Sequence, residues 1–432
     1  MQHVMMSLRG AFCGGLLAAL LLLSAAPVRA ATTTAGPAFD VEKATRAYLD
    51  RLTPEKKARS NAYFEGKYWL QLWDFLYGAA VAWIFLRTKL SARIRDLAAR
   101  VTRFKALQVF GYWAAYTLIA AALTFPLTVY EDFLREHHYG LATHGFGGWF
   151  GDFLKNQAVT VVLGGVLMMA FFAMIRRRGR NWPVAGSVIG SAFLILTIVI
   201  APVFIDPLFN RYTLLEDPKV RDPILSLARA NGVSAENVWQ LDASRQTKRI
   251  SANVSGVLGT MRIRLNDNLL NRCTLPEIEM VMGHEMGHYV LNHIYKLVFF
   301  LGVVMVVGMY ALRRAIERLL ARFGTQWGIS GPGDPAVIPL ALFLISAFMF
   351  VLTPAMNTVI RVQEVEADLF GLNASRQPDG FAEVSLKLAE YRKLEPGPVE
   401  EFLFYDHPSP ATRIRTAMRW KAEHLPANVS SQ

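Results

Sequence analysis

The stretch Thr274-Leu275-Pro276-Glu277-Ile278-Glu279-Met280-Val281-Met282-Gly283-His284-Glu285-Met286-Gly287-His288 decides how the rest of the chain is read. It opens as a helix should. Thr274 can cap, Glu277 stands three residues on as in a capping box, and Pro276 falls in the first turn, where proline is tolerated. Helical residues four apart share a face, so His284 and His288 present two imidazoles side by side. That spacing grips one zinc ion, and Glu285 beside the first histidine can serve as general base for water at the ion. A catalytic zinc takes three protein ligands and keeps a fourth position open, so another donor must come from elsewhere.

The candidate lies downstream, in Arg361-Val362-Gln363-Glu364-Val365-Glu366-Ala367-Asp368. On a helix, Glu364 and Asp368 share a face while Glu366 points elsewhere. Glu364 is read as the third ligand and Asp368 as the acceptor for a ligand histidine's outer nitrogen. Glu366 is the competing ligand. The plain alternative is a solvated acidic helix.

Around these motifs the chain is apolar. Hydrophobic residues make up 53% of it and its mean hydropathy is +0.26, values that fit a chain solvated in part by lipid. Five runs, 68–86, 106–130, 157–175, 184–205 and 336–360, match the roughly 20 residues that cross a bilayer. A shorter run, 297–312, is a further span if its helix extends beyond the apolar core. Residues 1–30 read either as a signal peptide cut after Val28-Arg29-Ala30 or as a first membrane helix; Arg29 is unusual before a cut.

The organisation expected is therefore 1–30 as leader or first helix and 31–67 as a polar extramembrane segment. Four membrane helices occupy 68–205, and the protease domain with the histidine motif occupies 206–296. Two more spans occupy 297–360, and 361–432 completes the protease domain with the third ligand. Two intervening spans return the chain to the same side, so 206–296 and 361–432 can pack together. The fold class expected is mainly α: a polytopic membrane helix bundle with a small α+β zinc metalloprotease domain.

The net charge of +12 would suit nucleic acid. Its excess, however, sits in short loops between apolar runs, such as Arg176, Arg177, Arg178 and Arg180, so a nucleic-acid partner is not expected. By the positive-inside rule these basic loops are cytoplasmic, which puts the zinc domain on the non-cytoplasmic face, in a bacterial inner membrane. Cys13 and Cys273 are the two cysteines, which excludes a disulfide framework and a cysteine-based zinc cluster.

With these motifs in view, the chain resembles the CAAX prenyl protease type 1 family, the integral-membrane gluzincins. The resemblance is carried by Asp206-Pro207-Leu208-Phe209-Asn210, by the zinc helix ending His288-Tyr289-Val290-Leu291-Asn292-His293, by Glu364-x-x-Ala367-Asp368, and by His407-Pro408 with Arg413. It implies one Zn2+ per chain held by His284, His288 and Glu364, Glu285 as base, and Asp368 behind the ligands. It also implies that His407 and Arg413 hold substrate or stabilise the oxyanion. Read without the family, His407 is a lone loop histidine.

A strand pair is expected before the zinc helix, 249–258 and 261–265 around a Gly259-Thr260 turn. In the family such an edge takes the peptide as an added strand, which gives Ser251, Ala252 and Asn253 as substrate contacts. The sequence departs from the family here. Asn-Ala usually stands five and four residues before a glycine, whereas Ser251-Ala252 precedes Gly256 and Asn253 is out of register.

The function expected is a membrane-embedded zinc metalloendopeptidase acting on a peptide or protein substrate in contact with membrane lipid, in membrane or envelope protein quality control. The sequence names no oligomeric partner. The alternative is a non-catalytic transporter or chaperone-like module with a structural zinc closed by a fourth ligand, for which His293 is nearest.

Overall fold

The computed structural model describes residues 39–255 and 261–425; the leader reading of 1–30 and the Gly259-Thr260 turn lie outside them. Helix α1 (Val41–Leu49) is followed by α2 (Pro54–Arg87). Thr53 caps α2, and its side chain accepts a hydrogen bond from the Lys56 amide. Between Lys67 and Tyr68 there is no helix breaker, so the segment read as extramembrane flows into the first span without a boundary.

Then come α3 (Leu90–Val101), α4 (Lys105–Thr128), α5 (Phe146–Arg178) and α6 (Trp182–Ile200). Pro126 sits inside α4, and the helix widens after it into a π turn, Val129–Arg135, one way a chain satisfies carbonyls that a proline frees. Gly179, at φ +50, ends α5 and lets α6 fold back along it. Their apposition shows at Gly186, where a Cβ would meet the Phe171 ring at 3.0 Å.

The sheet-bearing part begins with β1 (Tyr212–Leu214), α7 (Pro218–Ala230) and β2 (Val238–Leu241). It continues through β3 (Ala252–Ser255), β4 (Arg262–Asn266), α8 (Asp267–Arg272) and α9 (Leu275–Val290). The sheet order is β1-β2-β4-β3, with β2 and β4 parallel and the other pairs antiparallel. Strand β3 is thus an edge.

Two long helices follow, α10 (His293–Trp327) and α11 (Ile338–Ser375), and then α12 (Pro378–Leu388), α13 (Pro398–Phe404) and α14 (Pro410–His424). The short apolar run 297–312 belongs to the 35 residues of α10, which span about 52 Å at 1.5 Å per residue. Among the described residues, five helical runs are long and apolar enough to cross a membrane; one of them, 146–208, contains both α5 and α6.

Among the described residues, two core clusters flank α9. Ile224, Ile263, Leu265, Met282 and Met286 pack between sheet and α9. Leu49, Met280, Leu372, Phe381, Ile414 and Met418 pack on the other side of α9. Helix α9 is therefore clamped between the sheet and the C-terminal helices, and α11 carries the chain from the bundle directly into that clamp. The mainly helical fold with a small mixed sheet is the one the sequence predicts.

Candidate metal centre

Glycines set the distance between α9 and α11. A Cβ on Gly283 would lie 3.1 Å from Gly371 Cα, and one on Gly287 would lie 3.2 Å from Ala367 Cα. The helices cross backbone to backbone, which brings Glu364 and Asp368 level with the histidines.

His284 Nε2 and His288 Nε2 stand 3.1 Å apart. Glu364 Oε2 is 3.4 Å from His284 Nε2, and Glu364 Oε1 is 3.4 Å from His288 Nε2. Two donors on a tetrahedral ion with bonds of about 2.0–2.2 Å stand about 3.3–3.5 Å apart. The three side chains fit three corners of one such ion. Among the described residues no fourth His, Cys, Asp or Glu joins them.

The outer nitrogens are also held. His284 Nδ1 lies 2.8 Å from Asp368 Oδ1. His288 Nδ1 lies 2.9 Å from His293 Nδ1, and His293 Nε2 lies 2.9 Å from Glu366 Oε2. A carboxylate only accepts, so His293 donates from Nε2 to Glu366, and its Nδ1 accepts from His288 Nδ1. Each ligand candidate thus keeps its Nε2 lone pair for the centre, the tautomer a metal needs. Asn292, at φ +59, ends α9 and turns the chain so that His293 comes to rest behind His288.

This placement bears on two rivals. Glu366 is engaged by His293 and by Lys296 Nζ at 2.9 Å, away from the two Nε2 atoms. His293 is buried behind His288, where it cannot close the coordination sphere, and the transporter or chaperone-like alternative loses its fourth ligand.

Arg413 is buried and joins both carboxylates: its Nε donates to Asp368 Oδ2 at 2.9 Å and its Nη2 to Glu364 Oε2 at 2.8 Å. His407 Nε2 lies 3.3 Å from Glu364 Oε2, and His407 Nδ1 lies 2.7 Å from Asp406 Oδ1. Burial keeps the His407 imidazole from charging, against the pull of Asp406. Burial likewise disfavours the His284 cation, but Asp368 and Glu364 outweigh it and lift that imidazole to about 10. The carboxylates thus demand positive charge at the centre, which a divalent ion supplies. Burial pushes the Glu285 carboxyl up, opposed by the His284 and His288 imidazoles, and a raised carboxylate is a better proton acceptor.

The sheet edge reaches the same helix. In β3, Ala252, Asn253, Val254 and Ser255 face Leu265, Arg264, Ile263 and Arg262. The Asn266 amide donates to the Ser251 carbonyl at 3.0 Å, and bonded pairs alternate in an antiparallel ladder. Ser251 and Asn253 therefore turn their main chain toward β4, while Ala252 and Val254 turn theirs outward. Sequence reading missed Val254, and it missed Asp406 and the part of His293; register and the Asn292 turn decide these.

Comparison with known proteins agrees with the architecture. Residues 214–421 match the model of peptidase family M48, and residues 41–211 match that of the CAAX prenyl protease N-terminal region, described as five membrane helices. An uncharacterized metalloprotease, YhfN, of Bacillus subtilis is 27% identical over 87% of this chain and 88% of its own. CAAX prenyl protease 1 of Saccharomyces cerevisiae is 24% identical over 87% and 88% of the two chains. The crystal structure of S. mikatae Ste24p shares the fold, with a TM-score of 0.72 at 22% identity over 88% of this chain and 94% of that one. The family expected from the sequence is the family found: the chain is an integral-membrane metalloprotease of peptidase family M48, of the CAAX prenyl protease type.

Proposed function

We propose that the metal is a single Zn2+ held by His284, His288 and Glu364, and that the chain is an endopeptidase using it. The observation that carries this reading is the convergence of those three side chains within 4.8 Å of one another, with Glu285 on the same helical turn. Bound there, zinc would supply Lewis acidity, polarising the scissile carbonyl and acidifying water.

The chain's own residues do the rest. The raised carboxylate of Glu285 takes the proton from water as it attacks, then passes it to the departing amine. Asp368 and His293 fix the two ligand imidazoles. Arg413 positions Glu364 and Asp368, and its charge offsets theirs. His407, at the mouth of the centre with its Nδ1 donating to Asp406, turns its Nε2 lone pair to a main-chain amide of the substrate and so holds it. Ala252 and Val254 offer outward amides and carbonyls that a substrate strand can pair with, beside Ser251 and Asn253.

Residues 206–296 and 361–432 make up the protease portion, at the end of the bundle opposite the basic loops. Arg95 and Lys105 of the basic stretch 87–105, Arg176 of the loop after 175 and Glu317 of the basic stretch after 312 line one cavity, so these three stretches share an end. That shared charge supports a cytoplasmic position for the loops and a non-cytoplasmic one for the protease, in a bacterial inner membrane. Such a position favours membrane and envelope proteins as substrates over prenylated CAAX peptides, the class its relatives' names state.

The test is Glu285→Gln assayed for metal and cleavage together. The variant should keep one zinc per chain and lose about a thousand-fold or more in peptide turnover, as loss of general-base catalysis does in general. Turnover near the parent level would refute the mechanism. Farnesylated and plain peptides offered side by side decide the substrate class.

A further inference from the structure

A cavity of about 1190 Å³ opens at the far end of the bundle, between α3, the start of α4, the end of α5, α10 and the loop 328–335. Glu364 stands 26 residues beyond Ile338, where α11 starts next to this cavity, about 39 Å at helical rise, so the cavity is separate from the protease centre.

Its lining holds Arg95, Lys105 and Arg176 against Asp96, Glu317 and Asp334, equal in number but unevenly paired. Asp334 Oδ2 is paired with Arg95 Nη1 at 2.5 Å, and Asp96 Oδ1 with Arg95 Nη2 at 2.8 Å. Glu317 Oε1 is paired with Arg313 Nε at 2.7 Å. All three acids in the lining are thus engaged by two arginines, Arg95 holding two of them and Arg313 the third. Lys105 Nζ has only the Gln108 amide oxygen at 3.2 Å, and the exposed Arg176 has no hydrogen-bonding or ionic partner among the described residues. Two cations remain free to face the same space.

The surroundings are those of a bilayer interface. The helices whose ends frame the cavity include the long apolar runs 105–138, 146–208 and 293–327. Beside it, Leu97, Val101, Phe104 and Leu107 are large, apolar and exposed. Helix α3 thus carries Arg93, Arg95 and Arg100 together with exposed Leu97 and Val101, the composition of a helix lying in the headgroup region. A soluble anion has no use for that apolar rim, whereas acyl chains do.

We propose that this cavity binds the phosphate of an anionic membrane lipid, with Lys105 and Arg176 on the phosphate and the acyl chains along the apolar rim of α3 and α4. Basic pockets between membrane helices take phosphate headgroups in this way.

The full chain, purified in detergent and stripped of lipid, is titrated with phosphatidylglycerol and with phosphatidylcholine, reading retention by native mass spectrometry and the shift in melting temperature. Phosphatidylglycerol should bind and stabilise; phosphatidylcholine should do so at least about ten-fold more weakly. K105Q/R176Q should lower phosphatidylglycerol affinity about ten- to thirty-fold, at roughly the contribution expected for two cations. R177Q/R178Q removes the same charge outside the cavity lining and should bind nearly as the parent does. If K105Q/R176Q fails to fold, the single variants carry the same comparison. Equal binding of the two lipids, or equal loss in both double variants, would overturn the proposal. Full displacement of phosphatidylglycerol by inorganic phosphate would assign the cavity to a soluble anion and overturn the lipid.

Discussion

Gly371 and His284 are in backbone contact across two helices: a Cβ built on Gly371 would lie 2.8 Å from the His284 amide nitrogen. The third-ligand helix can therefore approach the two-histidine helix closely enough for Glu364 to meet both imidazoles only because position 371 has no side chain. Gly371→Ala should push α11 off α9. Overpacking of this kind costs about 1–3 kcal/mol, and here it also separates Glu364 from the histidines. The expected outcome is a lower melting temperature together with a large fall in bound zinc, read by metal analysis; parent-like metal content would show that the crossing does not set the site.

Arg413 offsets two buried carboxylates at once. Arg413→Met leaves Glu364 and Asp368 without their guanidinium, and breaking a buried pair in this way costs about 3–5 kcal/mol. Arg413→Lys keeps the charge but not the fork that spans Asp368 Oδ2 and Glu364 Oε2. The methionine variant should melt well below the lysine variant, and both should bind zinc more weakly than the parent. Equal melting of parent and methionine variant would remove Arg413 from the account.

The alternation of the sheet edge gives a contrast within two neighbouring positions. Ala252→Pro deletes an amide that points away from β4, which an edge strand tolerates. Asn253→Pro deletes one that the β3–β4 ladder uses. Ala252→Pro should fold and bind zinc but show a raised KM, since main-chain pairing with substrate is lost. Asn253→Pro should lose stability. An unchanged KM in Ala252→Pro would mean that substrate does not add to this edge.

These predictions separate what the sequence carries from what only the fold supplies. The pair His284 and His288 with Glu285 is legible because a spacing of four on a capped helix puts both imidazoles on one face. The spans are legible because a bilayer demands about 20 apolar residues. Their ends are not: α2 starts at Pro54 and α10 runs on to Trp327, since helices continue until something stops them. Glu364 is legible only as one of three neighbouring acids; the glycine crossing at 371 turns that face, and not Glu366, toward α9. The resemblance implies that Arg413 holds substrate or stabilises the oxyanion, and the fold adds that its Nε and Nη2 donate to Asp368 and Glu364. The part His293 plays depends on one left-handed residue, Asn292, which no periodicity announces.

The account stands most directly on the zinc-edge X-ray absorption spectrum of the purified, metal-replete protein. It predicts a four-coordinate ion with two imidazole nitrogens near 2.0 Å and oxygen donors from one carboxylate and solvent. A third imidazole in the coordination sphere, or a preparation that holds no stoichiometric zinc yet cleaves peptide, would contradict it.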